Sequence, residues 1–354
     1  MKPQRIAVAM SGGVDSSVAA ALLVDQGYDV FGLMMRLWSA DPDGANRCCS
    51  PQDVANARQV AERLSIMFHE LDCQDSFKRV VVDAFIDGYA KGITPNPCIE
   101  CNRSIRWGLL LDHARQMGAT HMATGHYAQI VRRSGRYRLL RATDRSKDQS
   151  YVLHMLDQTA LSQTLFPLGV HTKEEVRAMA RHFDLPVADR PDSQDLCFVT
   201  DDDYRSFLRS QQVVLPPPGP IVDLRGKVLG RHEGLAEFTI GQRKGLRIAS
   251  SKPLYVLVKD LPRNRLIVGS RQDLERSEFT VHRLSWVIGR APSLRKKLLV
   301  RVRYHAEETP ARVLPLTQTS ARVILEAPLT DITPGQAAVF YLDEECLGGG
   351  IIQS

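Results

Sequence analysis

Nothing in the 354-residue chain approaches the ~20 consecutive apolar residues of a membrane-spanning helix. No secretory leader is expected either. MKPQRIAVAM sets polar residues before a short strand-like run, without the longer apolar region and small-residue cleavage site such a leader needs. A cytoplasmic protein with no membrane partner is therefore expected. The seven cysteines are an odd number, which argues against a secreted disulfide framework and for thiols kept reduced, so the position of each matters more than the count. There is no internal repeat and no low-complexity tract. With 44% hydrophobic and 24% charged residues the composition matches ordinary globular proteins and gives no sign of disorder. The length suits two or three domains.

A net charge of +6 permits a polyanionic partner without requiring one. The distribution says more. From His282 to Arg303 the chain carries seven Lys or Arg and no Asp or Glu, interleaved with Leu, Val and Trp286. Such a stretch is either a solvated strand face or a contact for an RNA backbone.

From residue 5 to about 125, short β-branched runs alternate with helical stretches, as a doubly wound parallel sheet requires. RIAVAM is the first strand, Asp15 to Gln26 a helix ending at Gly27, and Asp29 to Leu37 the second strand. Helices at 52–64, 75–91 and 104–117 and strands at 66–71 and 120–125 come next. A hairpin is expected to turn at Ser134-Gly135. Thr172 and Glu175 have capping-box spacing, which starts a helix. PPPGP, Pro216 to Pro220, reads as a linker, and β-type patterns succeed it at 253–258, 265–268, 298–304, 311–314, 321–325 and 337–342.

The first strand runs into Ser11-Gly12-Gly13-Val14-Asp15-Ser16-Ser17 and then a helix, which aims backbone N–H groups at a phosphate. Asp15 is suited to hold a Mg2+ that bridges phosphates. No Lys followed by Ser or Thr is present, so this is not a Walker A loop, and the G-x-G-x-x-G dinucleotide spacing is absent. SGGVDSS resembles the PP-loop of enzymes that split ATP into AMP and pyrophosphate, which implies ATP as substrate and adenylation as chemistry.

Further segments resemble one family across nearly the whole chain, the bacterial tRNA-specific 2-thiouridylases acting on the wobble uridine. They are Thr94-Pro95-Asn96-Pro97-Cys98-Ile99-Glu100-Cys101-Asn102, the run Ala123 to Ala128 (ATGHYA), Lys147-Asp148-Gln149-Ser150-Tyr151, Gly241-Gln242-Arg243-Lys244-Gly245, Thr333-Pro334-Gly335-Gln336 and Cys346-Leu347-Gly348-Gly349-Gly350. The resemblance implies an α/β fold: a PP-loop domain related to the adenine nucleotide alpha hydrolases (1–205), a small β-rich central domain that binds tRNA (206–275) and a C-terminal β-barrel (276–354). It implies ATP contacts from Ala9, Met10, Ser11, Gly12, Gly13, Val14, Asp15, Ser16, Met35 and Gly125. It places Cys101 as the catalytic thiol and Cys197 as the persulfide carrier. RNA contacts are implied for Asn96, Pro97, Cys98, His126, Lys147, Asp148, Gln149, Arg303, Tyr304 and Gln336. A sulfur carrier or cysteine desulfurase would load Cys197, and the chain would act as a monomer.

Read without the resemblance, several of these residues stay open. Pro95 and Pro97 stiffen what reads as a short loop presenting Cys101. Cys197 alone would be a small buried hydrophobe, and His126 alone is as readily a structural histidine. Cys48, Cys49 and Cys73 are expected to be structural thiols. The sequence also departs from the family, whose best-known version has an Asp where Cys98 stands. Its ordinary pKa of ~8.5 against ~3.9 puts any proton-transfer role there in doubt. Cys98, Cys101 and Cys197 could instead be three ligands of a [4Fe–4S] cluster, an alternative route to thiolation. A ligase transferring nitrogen and a non-catalytic RNA-binding protein are the rival readings.

Overall fold

The computed structural model describes residues 3–40, 49–191, 196–199, 203–211, 217–293 and 297–353. The chain begins with β1 (Arg5–Ala9), whose side chains alternate between two cores: Ile6 and Val8 join one, Ala7 the other. Around it forms a parallel five-stranded sheet in the order β3-β2-β1-β4-β7, with β2 (Asp29–Arg36), β3 (Met67–Asp72), β4 (His121–Thr124) and β7 (Thr164–Leu165). Helix α1 (Val14–Asp25), α2 (Pro51–Arg63) and α5 (Lys173–His182) contribute to the first core, and the helix α4 (97–116) to the second. Coverage of both faces makes the sheet doubly wound. The capping box is formed as expected: Thr172 accepts from Glu175 N, and Glu175 from Thr172 N.

Helix α3 (74–90) and α4 both contain wide π-helical turns, at Lys78–Val82 and Cys101–Leu110. The Pro-rich segment before α4 corrects a sequence expectation. It is not a loop as far as Cys101, because Pro97 opens the helix and the Asn96 side chain accepts from Cys98 N at 3.1 Å. Proline suits the first helical position, where its missing N–H is not needed. Cys98 and Cys101 therefore stand on the first turns of a helix.

The linker expectation is also corrected. Pro216 lies outside the described residues, and Gly219 and Pro220 begin β8 (Gly219–Val222). β8, β9 (Val228–His232), β10 (Tyr255–Asp260) and β11 (Arg265–Gly269) form a four-stranded sheet around Ile221, Leu235, Phe238 and Val256. A further helix spans Tyr204–Ser210 with Asp203 as its cap.

Six further strands close a barrel: β12 (Arg276–Trp286), β13 (Leu298–Arg301), β14 (Thr309–Thr317), β15 (Ser320–Leu329), β16 (Ala337–Leu342) and β17 (Glu345–Gln353), with β17 pairing back onto β12. Glycines permit that closure. Gly348 has φ +140, and a Cβ there would lie 2.1 Å from Ser285 O. The expected hairpin, β5 (Gln129–Arg133) and β6 (Arg136–Leu140), does turn at Ser134-Gly135, but β6 pairs with β17 of the barrel. The first domain and the barrel thus share one sheet. Arg138 meets Glu345 at 2.7 Å, and Arg141 forks onto Glu308 with both terminal nitrogens.

Candidate active site

The loop after β1 is shaped by contacts only glycine allows. Gly12 has φ +72, and a Cβ there would lie 2.3 Å from Asp53 O. Gly13 caps α1 in extended conformation with no side-chain bond, so the orphan N–H groups of the first turn are not taken up by a cap. Ser16 Oγ accepts from Ser11 N at 3.1 Å and folds the loop over itself. From the neighbouring strand end, Gly125 lies against α1, where a Cβ would sit 2.7 Å from Ser16 N. Ligands of such sheets gather beyond the carboxyl ends of the strands, where both segments lie. Met10 and Val14 are core residues, so only their backbone can face a ligand there, and Met35 is half-buried on β2.

Three residues of this site carried no assigned role from sequence. Lys173 Nζ lies 2.7 Å from Asp15 Oδ1, and Tyr127 OH donates to the same oxygen at 2.8 Å. A lysine in the first turn of a helix is placed against the helix dipole, which was the available signal that an anion lies close by. Arg190 is another: it donates to Gly12 O at 2.9 Å and pairs with the buried Asp53. Asp15 Oδ2 has no partner among the described residues, and a Mg2+ needs only one or two carboxylates beside substrate phosphates, so this loop fits such an ion.

Both reactive-thiol candidates belong to one apolar cluster beyond the ends of β2 and β3. Cys101 is buried among Phe77, Phe85, Ile105 and Phe198, and the half-buried Cys197 packs against the same cluster. Phe198 brings its neighbour there. Its ring meets Phe85 and Phe207 edge-on at 5.3 Å each, contacts worth roughly 0.5–1.5 kcal/mol beyond area burial. Cys98 is exposed on the side of Tyr304. Among the described residues no three of His, Cys, Asp and Glu are gathered as a metal would require. Cys98, Cys101 and Cys197 are not gathered as such a ligand set: Cys101 is buried in the apolar cluster, Cys197 is half-buried against it and Cys98 is exposed. Cys73 is buried and its thiol pushed up to about 11 by burial and Asp72, as suits a structural role; Cys48 lies outside the described residues.

Comparison with known proteins decides the family. Residues 4–201 match the family described as tRNA methyl transferase HUP domain, 205–270 the tRNA methyl transferase PRC-barrel domain, and 276–352 the aminomethyltransferase beta-barrel domain. The tRNA-specific 2-thiouridylase MnmA of Chloroflexus aurantiacus is 50% identical over 350 residues, covering 98% of both chains. That of Moorella thermoacetica is 47% identical over 353 residues, covering 98% of this chain and 99% of its own. The chain belongs to the tRNA-specific 2-thiouridylases, a family of sulfurtransferases.

Several of the residues for which the family resemblance implies RNA contact are buried or bonded within the protein. His126 is buried between Trp107 and Phe166, bonds Thr124 through Nδ1 at 2.7 Å and meets Arg106 at Nε2. Burial and Arg106 push its pKa well below the ordinary value, so it is a neutral acceptor holding Arg106. Asp148 is buried too, its carboxylate accepting from Ala142 N, Ser150 N and Ser150 Oγ. A carboxylate so engaged holds its own turn. Gln149 bonds the Tyr127 backbone twice, and Lys147 is half-buried beside it.

Arg303 donates to Asp331 O and Ile240 O, joining the barrel to the central sheet, and Tyr304 packs on Tyr151. Gln336 donates to Thr94 O at 2.9 Å. In the basic stretch, Arg283 pairs with Glu100, Lys297 with Glu326, and Arg301 with Glu308. Arg295 and Lys296 lie outside the described residues. Three of the stretch's described cations are thus paired with acids, one of them, Glu100, from another domain.

Proposed function

We propose that this chain uses ATP to activate C2 of the wobble uridine of tRNA and replaces its oxygen with sulfur from a persulfide on Cys197. The observation that carries the reading is the uncapped start of α1, with Asp15 and Lys173 beside it, in a domain whose two thiol candidates share one cluster. The uridine oxygen attacks the α-phosphorus of ATP, pyrophosphate leaves, and C2 becomes the carbon of an adenylated base. Donors at the start of α1 and Lys173 bind the phosphates and stabilise charge on the leaving pyrophosphate. A bound Mg2+ would neutralise phosphate charge beside Asp15.

The terminal sulfur of the Cys197 persulfide then bonds C2 and AMP departs. Cys101 thiolate attacks the inner sulfur, the S–S bond breaks, and its electron pair stays on the base as 2-thiouridine. The Cys101–Cys197 disulfide so formed is reopened by an external thiol reductant. No step is assigned to an iron–sulfur cluster. The proposal includes a cytoplasmic monomer with domains 1–205, 206–275 and 276–354, loaded by a sulfur carrier or cysteine desulfurase. Among the described residues no helix is long and apolar enough to cross a membrane.

The test supplies purified protein with ATP, a persulfide donor and unmodified tRNA, and measures 2-thiouridine by mass spectrometry. The parent is expected to form it with one pyrophosphate per sulfur, and Cys197→Ser to release pyrophosphate without thiolating. Thiolation by Cys197→Ser at the parent rate would refute the persulfide role.

A further inference from the structure

The segment entering α4 is held from the barrel. Thr94 N donates to Pro334 O at 2.9 Å, and Gln336 Nε2 donates to Thr94 O at 2.9 Å, so both backbone groups of Thr94 are taken by the Thr333–Gln336 turn. Thr94's own hydroxyl is buried with no partner among the described residues, which leaves the backbone to make the tie. Gly335 has φ +93, and a Cβ there would meet Thr94 N, C and O at 2.8–2.9 Å. The turn is anchored in its own domain by Gly335 N donating to Ile352 O and Ile352 N to Gln336 O.

Between Thr94 and the helix the chain is short and stiff. Pro95 packs on Gly88, where a Cβ would lie 2.8 Å from the proline ring, and Pro97 is the first residue of the helix. With φ fixed at two of the four steps from Thr94 to Cys98 and Asn96 capping the helix, a shift at Thr94 is passed on to the helix start and not absorbed.

We propose that Gly335 and Gln336 of the barrel are positioning residues that set the placement of the Cys101 thiol in a domain more than 200 residues away in sequence. The inference rests on the thiolation reading for its catalytic consequence. The geometry at Thr94 stands without it. It gives Gln336 a role different from the RNA contact implied by family resemblance.

The test uses full-length Gln336→Ala and Gly335→Ala proteins with three readouts: affinity for unmodified tRNA, single-turnover thiolation by persulfide-loaded protein at saturating tRNA, and alkylation of Cys101 and Cys73 by iodoacetamide, mapped by peptide mass. For Gln336→Ala, tRNA affinity is expected to hold within about twofold while the single-turnover rate falls roughly 10-fold, the scale of a sub-ångström to ångström misplacement. Cys101 alkylation should change by about threefold or more in both variants, with buried Cys73 unaltered, since the placement and not the global fold is disturbed. Weakened tRNA affinity with an unaltered single-turnover rate would make Gln336 an RNA contact and overturn the proposal. So would unchanged Cys101 alkylation in both variants. Should Gly335→Ala fail to fold, Gln336→Ala decides. If the parent forms no 2-thiouridine, the functional reading fails, and the alkylation comparison still judges the clamp.

Discussion

Lys173 Nζ and Asp15 Oδ1 lie 2.7 Å apart, with the lysine side chain only 11% exposed. The pair joins the first turn of α1 to the first turn of α5 across the phosphate loop, from residues 158 positions apart.

Lys173→Ala should lower ATP-dependent pyrophosphate release by roughly 100-fold, as loss of one transition-state donor does. Lys173→Arg should recover part of it. Asp15→Ala should abolish release while circular dichroism stays native, because Asp15 belongs to a partly exposed loop. Pyrophosphate release by Lys173→Ala at the parent rate would remove the lysine from the site.

Acid should destabilise the fold through buried histidines. His154 is wholly buried, and its Nδ1 donates to Tyr151 O at 2.7 Å, so Nε2 carries no proton; it has no partner among the described residues. Burial, and then the nearby Arg103, push its pKa down to about 4. Between that value and the unfolded ~6.5 the unfolded chain binds a proton that the folded chain does not. Stability is therefore complete above ~6.5 and falls by about 1.4 kcal/mol per pH unit as pH drops through that window. His126 acts in the same direction. Urea midpoints measured from pH 7.5 to 5 should show the slope, and His154→Gln should flatten it. A parallel slope in that variant contradicts the assignment.

The turn Gly241 to Gly245 holds cations outward. Gln242 accepts from Thr239 N at 3.0 Å and donates to Lys244 O at 2.9 Å, a brace within the turn. Arg243, Lys244 and Arg247 are exposed and make no ion pair among the described residues. Replacing all three by Ala should leave the melting temperature unchanged. The salt dependence of tRNA binding should become shallower by ~0.7–0.9 in log–log slope for each phosphate no longer neutralised. An unaltered slope would return this turn to a solvated surface.

Much of the catalytic domain was legible because its signals are local. A strand followed by SGGVDSS, a Thr172–Glu175 capping box and a Ser-Gly hairpin turn each work through bonds a few residues long, and all stand where expected. The Asn96-Pro97 helix start is equally local, yet its prolines point as readily to a stiff loop, since proline signals both. β12 and β17 are hard to see in the sequence because their patterns are dilute: β12 opens with exposed polar residues, and β17 carries three glycines whose purpose is close approach to β12 and β16.

The sequence by itself determined the phosphate loop, the alternation of strands and helices, and the set of thiols available for chemistry. Tertiary structure alone decided which of those groups meet. Hairpin β5–β6 joins the barrel's sheet, Glu100 and Glu308 neutralise arginines of the basic stretch, His126 is buried, and Cys101 and Cys197 share one apolar cluster. The physical reason is range. Caps and turns are set by neighbouring residues, whereas ion pairing and burial depend on which distant side chains share a small volume, and no local pattern encodes that.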